Sequence, residues 1–149
     1  MVEIRKLELS DYYLDYLQLL NSLSPTVEDK GLLSFQEQYN KIMASRNIHI
    51  FVIEDQSSEY DARIVTSGTL LVEEKFLHDH GKVGHIEDIV VASDTRGQGY
   101  GKQMVDHLVK TAKTLGCYKV ILNCKEEVVP FYQKSNFFTN GAEMRINLA

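Results

Sequence analysis

Apolar residues recur along the chain with two periods, and the switches between them divide it into short elements. Val2 and Ile4 alternate with Glu3 and Arg5, which predicts a first strand over Val2–Leu7. Ser10 and Asp11 can cap free N–H groups, and Tyr12, Tyr13, Tyr16, Leu17, Leu19 and Leu20 follow at spacings that make one helical face apolar. Ser22, Ser24, Pro25 and Gly31 punctuate a loop. Ser34 then opens a second helix, through about Ser45, with Phe35, Tyr39, Ile42 and Met43 on its apolar side. Ile48–Ile53 is a β-branched strand, Glu54–Ala62 a polar hairpin turn, and Arg63–Glu73 a longer strand in which Gly68 marks a bulge or a close approach. After a loop over Lys75–Gly84 comes the strand His85–Val91. A helix over Lys102–Leu115 buries Met104, Val105, Leu108, Val109 and Ala112, and Gly116 stands where a left-handed cap ends it. Tyr118–Asn123 is a strand, Glu126–Lys134 a short helix containing Pro130, and Phe137–Ile146 one or two final strands split by Asn140-Gly141. This order, a strand meander followed by crossovers, predicts a mixed α/β or α+β layout with helices flanking a central sheet. No linker or repeat interrupts it, so residues 1–149 are expected to form a single domain.

Composition narrows the classes. Sixteen Lys and Arg against 21 Asp and Glu give a formal charge of −5, which argues against general polyanion or nucleic-acid binding. No apolar run is long enough to span a bilayer, and the N-terminus has no signal-peptide pattern, so no membrane role and a cytoplasmic location are expected. Cys117 and Cys124 form no close metal or redox pair and read as packing thiols, and no metal-ligand spacing appears.

The segment that carries chemistry is Arg96-Gly97-Gln98-Gly99-Tyr100-Gly101, between the His85–Val91 strand and the helix after it. Glycines allow close backbone approach, and free N–H groups at a helix start attract anions, so the loop reads as a phosphate or pyrophosphate cradle. A nucleotide P-loop requires Lys-Ser/Thr after the last glycine; here Lys102-Gln103 follows. A dinucleotide loop requires Gly-x-Gly-x-x-Gly near the first strand of its unit, and this loop is spaced differently and comes late. A turn that binds nothing is the remaining plain reading.

Arg96-x-x-Gly99-x-Gly101 resembles the Gln/Arg-x-x-Gly-x-Gly/Ala loop of the GNAT superfamily of N-acetyltransferases. Within it, Gly84–Val91, Arg96–Lys102, Gly116–Leu122 and Phe131–Lys134 resemble the glucosamine-6-phosphate N-acetyltransferases, as does Glu74-Lys75-Phe76-Leu77-His78. The resemblance implies the GNAT acyl-CoA N-acyltransferase fold and direct acetyl transfer from acetyl-CoA to the amine of glucosamine 6-phosphate, in UDP-N-acetylglucosamine synthesis, without a metal. It places the acetyl-CoA pyrophosphate on Arg96, Gly97, Gln98, Gly99, Tyr100 and Gly101, with charge from Lys102, and the thioester carbonyl on the backbone of Ile89, Val90 and Val91. Glu87 and Asp88 would bind the amine and manage its proton. They are adjacent, so only one faces a pocket unless a bulge intervenes. Tyr132 would protonate the departing thiolate. Ser24, Lys75, His78 and Asn123 would touch the sugar phosphate, with Lys82 nearby. A homodimer is implied, with Glu143–Leu148 crossing to the partner. The chain departs from the family at Asn123, where a carboxylate is usual, at Val128, where an Asn is common, and at Asn147, in place of an Arg, although Arg145 is close. A GNAT enzyme for another small amine or a protein N-terminus, and a non-catalytic CoA-binding module, are the competing functions. Lys75 and His78 favour an anionic acceptor over the first, and Asn123 is the feature that favours the second.

Overall fold

The computed structural model describes residues 2–57 and 61–149, so part of the expected Glu54–Ala62 turn lies outside the described residues. Five strands form one sheet in the order β1-β2-β3-β4-β5: β1 (Arg5–Lys6), β2 (Ile48–Asp55), β3 (Arg63–Glu74), β4 (Lys82–Val91) and β5 (Cys117–Ile121). The first four are antiparallel neighbours, and β5 joins β4 in parallel. The long helix α4 (Tyr100–Thr114) makes that crossover and covers one face, while α1 (Tyr16–Leu23) and α2 (Leu32–Ala44) lie by the N-terminal segment. This is the mixed sheet with flanking helices that the sequence pattern led us to expect, and it agrees with the fold that the resemblance implies. Among the described residues no helix is long and apolar enough to cross a membrane.

The core is where the apolar periodicities meet. Val52, Ile53, Ile64, Val65, Leu70 and Val83 from the sheet are essentially inaccessible, as are Met104, Val105, Leu108 and Ala112 of α4. Gly68 lets the helix sit this close: a Cβ there would lie 2.8 Å from both Ile89 Cδ1 and Met104 Cγ. Gly68 is thus the close approach of the two readings offered for it, and the bulge is on the neighbouring strand: Ser67 pairs with Val90 and Thr69 with Glu87, so Gly68 alone spans Asp88 and Ile89 of β4. Asp88 there has a left-handed φ of 53°.

Four elements differ from expectation. Only Arg5 and Lys6 of the first segment pair as strand. Asp11 does not start α1. Its side chain is fully buried, accepts the Glu8 N–H at 2.8 Å, and holds the Arg5 guanidinium through two hydrogen bonds of 2.9 and 2.7 Å. A 3₁₀ turn occupies Leu9–Tyr13, and the α-helix begins only after Asp15, at φ 59°. β4 starts at Lys82, earlier than expected, because the preceding loop is drawn into a hairpin closed by the turn α3 (Leu77–His80). The tail shows no strand after Phe137: Phe138, Met144, Ile146 and Leu148 are 82%, 93%, 81% and 92% exposed. A strand pattern cannot become a strand without a neighbour to take its N–H and C=O groups.

The Arg5–Asp11 pair fastens the first segment to the sheet, because Arg5 also bonds Glu54 of β2 at 3.0 Å. Replacing Asp11 with Ala leaves a half-buried guanidinium short of its main partner. The expected loss is about 3 kcal/mol, read as a lower denaturation midpoint with unchanged slope; a midpoint within error of the parent would show that the pair fastens nothing.

Candidate functional site

Strand β4 carries five of the candidate residues, Glu87 to Val91, and reaches one cleft through Asp88. Pairing to β5 runs from Lys82↔Cys117 to His85↔Ile121 and stops. Pairing to β3 continues to Val91. From Ile86 to Val91, β4 therefore has no strand partner on its β5 side among the described residues, because β5 ends at Ile121, opposite His85. Ile89, Val90 and Val91 lie on this open edge. Backbone N–H and C=O groups there are available to a ligand in a way that a fully paired central strand forbids.

Beyond this open edge, Ser93–Thr95 makes one 3₁₀ turn and leads into the glycine loop. Arg96, Gly97, Gln98 and Gly99 are exposed, and Gly97 and Gly99 have φ of 85° and 84°. Gly99 occupies the N-cap of α4 without a side-chain cap, so the first N–H groups of that fifteen-residue helix have no side-chain acceptor. Tyr100 is half-buried, and Gly101 is buried. A Cβ on Gly101 would meet the Phe131 ring at 3.1 Å and Val91 Cγ2 at 3.4 Å, so this glycine lets the helix start sit directly beside the end of β4. Arg96 forms no ion pair among the described residues, whereas Lys102 is engaged with Asp106 one turn on. A cradle of exposed N–H groups beside a free guanidinium and an open strand edge fits a long ligand carrying a pyrophosphate. Among the described residues no group of three or more His, Cys, Asp or Glu is arranged to hold a metal ion.

The bulge decides where the two adjacent carboxylates go. Both Glu87 and Asp88 are exposed, although they sit in the middle of a strand in the sheet interior. Asp88 lines a cleft of about 530 Å³ between the sheet and helices α1 and α2. Tyr16, Ser67 and Thr69 line it too, as do Thr26 and Val27 from the loop between the helices. Ser24 lies in that loop, bonded to Thr26 at 3.0 Å, but does not itself line the cleft.

The other candidates stand elsewhere. Tyr132 is half-buried on α5 (Val129–Gln133), edge-on to Phe131 and Phe137, and lines a second cleft of about 660 Å³ with Val120, Leu122 and Cys124. Burial first, and the neighbouring Cys124 second, push its phenol above the ordinary value, so it holds its proton at neutral pH. Asn123 is exposed just after β5 and lines neither cleft. Lys75 and His78 are at the far end of the β3–β4 hairpin: Lys75 pairs with Glu73 at 3.0 Å, and His78 stacks on Tyr118 with ring centroids 3.9 Å apart. Glu73 also takes His85 at 2.9 Å, and these two partners hold its carboxyl below the usual range, the His85 bond first. His78, Asp79 and His80 all have positive φ. Glu74 pairs with Lys82 while Asp88 lies well along β4. At about 3.3 Å per residue, Lys75 and His78 are roughly 20 Å from Asp88 in the same chain.

Sequence reasoning missed Tyr16, Ser67 and Thr69. Two hydroxyl residues flanking Gly68 in an otherwise apolar strand were the available signal; Tyr16 had none, since it fits the apolar face of its helix.

A family model described as the acetyltransferase (GNAT) family matches residues 4–137. Among relatives, a glucosamine 6-phosphate N-acetyltransferase of Candida albicans is 43% identical over 141 residues, spanning 94% of this chain and 91% of its own. One from Arabidopsis thaliana is 39% identical over 145 residues, spanning 95% and 93%. The crystal structure of glucosamine-6-phosphate N-acetyltransferase from Arabidopsis thaliana superposes with a TM-score of 0.91 at 36% identity, covering 100% of this chain and 99% of that one.

Proposed function

The chain belongs to the GNAT family of acetyltransferases, and on that footing we propose that it transfers acetyl from acetyl-CoA to the amine of glucosamine 6-phosphate. The observation that carries the reading is the 43% identity, along nearly the whole of both chains, to an enzyme of that name from Candida albicans. The product suits UDP-N-acetylglucosamine synthesis.

Acetyl-CoA supplies the activated acetyl group. The chain's own residues bind, orient and move protons around it. The N–H groups of Arg96–Gly101 hold the pyrophosphate, with the Arg96 guanidinium adding charge. The open edge over Ile89–Val91 orients the thioester carbonyl through backbone N–H groups, which pairing with β5 would otherwise occupy. Asp88, turned into the α1/α2 cleft by the bulge, binds the acceptor amine, and Glu87 on the exposed side of the same bulge assists its proton loss, directly or through water. Tyr132 holds a proton for the departing sulfur, a role that its raised phenol pKa supports. Ser24 approaches the acceptor only through Thr26, to which it is bonded, and Asn123, outside both clefts, is given no contact.

The active form is a homodimer. Lys75 and His78, roughly 20 Å from Asp88 along one chain, are too far to grip the phosphate of a sugar held at that carboxylate. A second copy can supply them. Met144, Ile146 and Leu148 alternate with polar residues and are exposed, while β5 is an edge strand with Ile121 39% exposed. Residues 143–148 cross as a strand to the partner's sheet, and that exchange brings the partner's hairpin to the acceptor cleft.

Three measurements test this. Wild-type protein releases thiol from acetyl-CoA at a steady rate only when glucosamine 6-phosphate is present; no release contradicts the reading. Tyr132→Phe lowers kcat about 100-fold. Because the phenol titrates above its ordinary value, the wild-type kcat holds through the neutral range and its basic limb, from loss of this proton, lies above the usual phenol value. Unchanged kcat in Tyr132→Phe removes the acid role. A chain ending at Ala142 sediments as a monomer and loses turnover; a truncated dimer of full activity contradicts the exchange.

A further inference from the structure

Tyr16 and Ser67 form a buried hydroxyl pair at the inner end of the acceptor cleft. Tyr16 is 5% exposed and Ser67 1% exposed, and their oxygens are 3.3 Å apart. The contact joins the first turn of α1 to β3 at Ser67, next to Gly68, which lies opposite the Asp88–Ile89 bulge of β4. No backbone requirement explains it: a Phe at position 16 would keep the apolar packing against Phe35, whose ring centroid is 6.2 Å away.

The proton count of the pair matters. Two hydroxyls bring two hydrogens, and the bond between them uses one. The other must find an acceptor or remain unpaired in a buried place, which is costly. Two carboxylates are felt at the Tyr16 phenol, Asp88 and Asp11. Asp11 already takes two bonds from Arg5 and one from the Glu8 N–H. Asp88 makes no side-chain hydrogen bond or ion pair among the described residues, and it lines the same cleft as Tyr16, Ser67 and Thr69. Burial foremost pushes the Tyr16 phenol up to about 12, with the charge of Asp88 adding and the Ser67 bond opposing, so the phenol is a hydrogen donor throughout the working pH range.

We propose that Tyr16, through Ser67, is a positioning residue for acceptor binding: the spare hydrogen of the pair reaches Asp88 through one water and fixes its carboxylate in the cleft where the ammonium of the acceptor docks. A carboxylate on a left-handed, exposed bulge would otherwise have several rotamers to choose from. Holding one of them in advance lowers the ordering cost of binding the amine. The inference rests on the acceptor assignment above. It concerns acceptor affinity alone, since the glycine loop and the open edge of β4 are built from other residues.

The experiment compares wild type, Tyr16→Phe, Ser67→Ala and the double variant. Acceptor and acetyl-CoA KM are measured separately, and glucosamine 6-phosphate is titrated calorimetrically without acetyl-CoA. Each single variant is expected to raise acceptor KM and the calorimetric Kd about tenfold, leave the acetyl-CoA KM unchanged, and combine with the other non-additively, because both break one link. Acceptor KM and Kd equal to wild type in Tyr16→Phe overturn the proposal. So does a parallel rise in both KM values, which marks general loosening. Wild type that binds glucosamine 6-phosphate but does not acetylate it overturns the function while the Tyr16→Phe titration still decides the positioning role. Wild type that does not bind it overturns both.

Discussion

Among the described residues, the β5-facing edge of β4 is left without a strand beyond His85, and the placement of the other site elements follows from that gap. Parallel pairing lasts only from Lys82 to His85, where β5 ends, so β4 runs on alone on that side. Its open segment leads through the Ser93–Thr95 turn to the glycine loop. The opposite edge of β4 stays paired to β3 up to Val91, which keeps the open segment rigid while leaving its polar groups unfilled. A sheet interior normally has no such vacancy, since unpaired N–H and C=O groups away from water are costly. Gly68 and the Asp88 bulge belong to the same arrangement. The missing side chain at Gly68 draws α4 against the sheet, and the shifted register turns Asp88 into the cleft on the other face. One strand thus carries both an open backbone edge and a carboxylate that lines the cleft.

Much of the fold is legible in the sequence because the signals are local. β2, β3 and α4 announce themselves by β-branched runs and by a 3.6 period, and Gly116 closes α4 with φ 88°, as its position suggests. Failures occur where a side chain has a distant employer. Asp11 has the form of a helix cap, yet Arg5 claims it, and no local pattern reveals a guanidinium six residues upstream as the stronger partner. The final strand fails for the complementary reason. Its alternation at Met144, Ile146 and Leu148 is genuine, but within one chain the described residues offer it no neighbour.

The site divides similarly. The residues proposed for the cofactor fall in one stretch, with Ile89–Val91 on the open edge and Arg96–Gly101 at the start of α4. The residues proposed for the acceptor and the proton transfers come from five separate segments. Asp88 and Tyr132 border different clefts, and Lys75 and His78 lie at the remote end of a hairpin. Spacing along a chain carries no information about such convergence. The bulge at Asp88 also had to be seen, since a regular strand would have sent Glu87 and Asp88 to opposite faces. Tyr16 and Ser67 were invisible for a third reason: a buried hydroxyl pair looks, in sequence, like ordinary members of an amphipathic helix and a strand.

The central claim is that the gap between β4 and β5 is where acetyl-CoA docks, with its pyrophosphate on the start of α4. Amide hydrogen exchange with and without CoA tests it most directly. The account predicts slowed exchange at Ile89, Val90 and Val91 and along Arg96–Gly101, with little change along α2. Unchanged exchange at the strand edge and the glycine loop, with protection confined to the α1/α2 cleft, would contradict it.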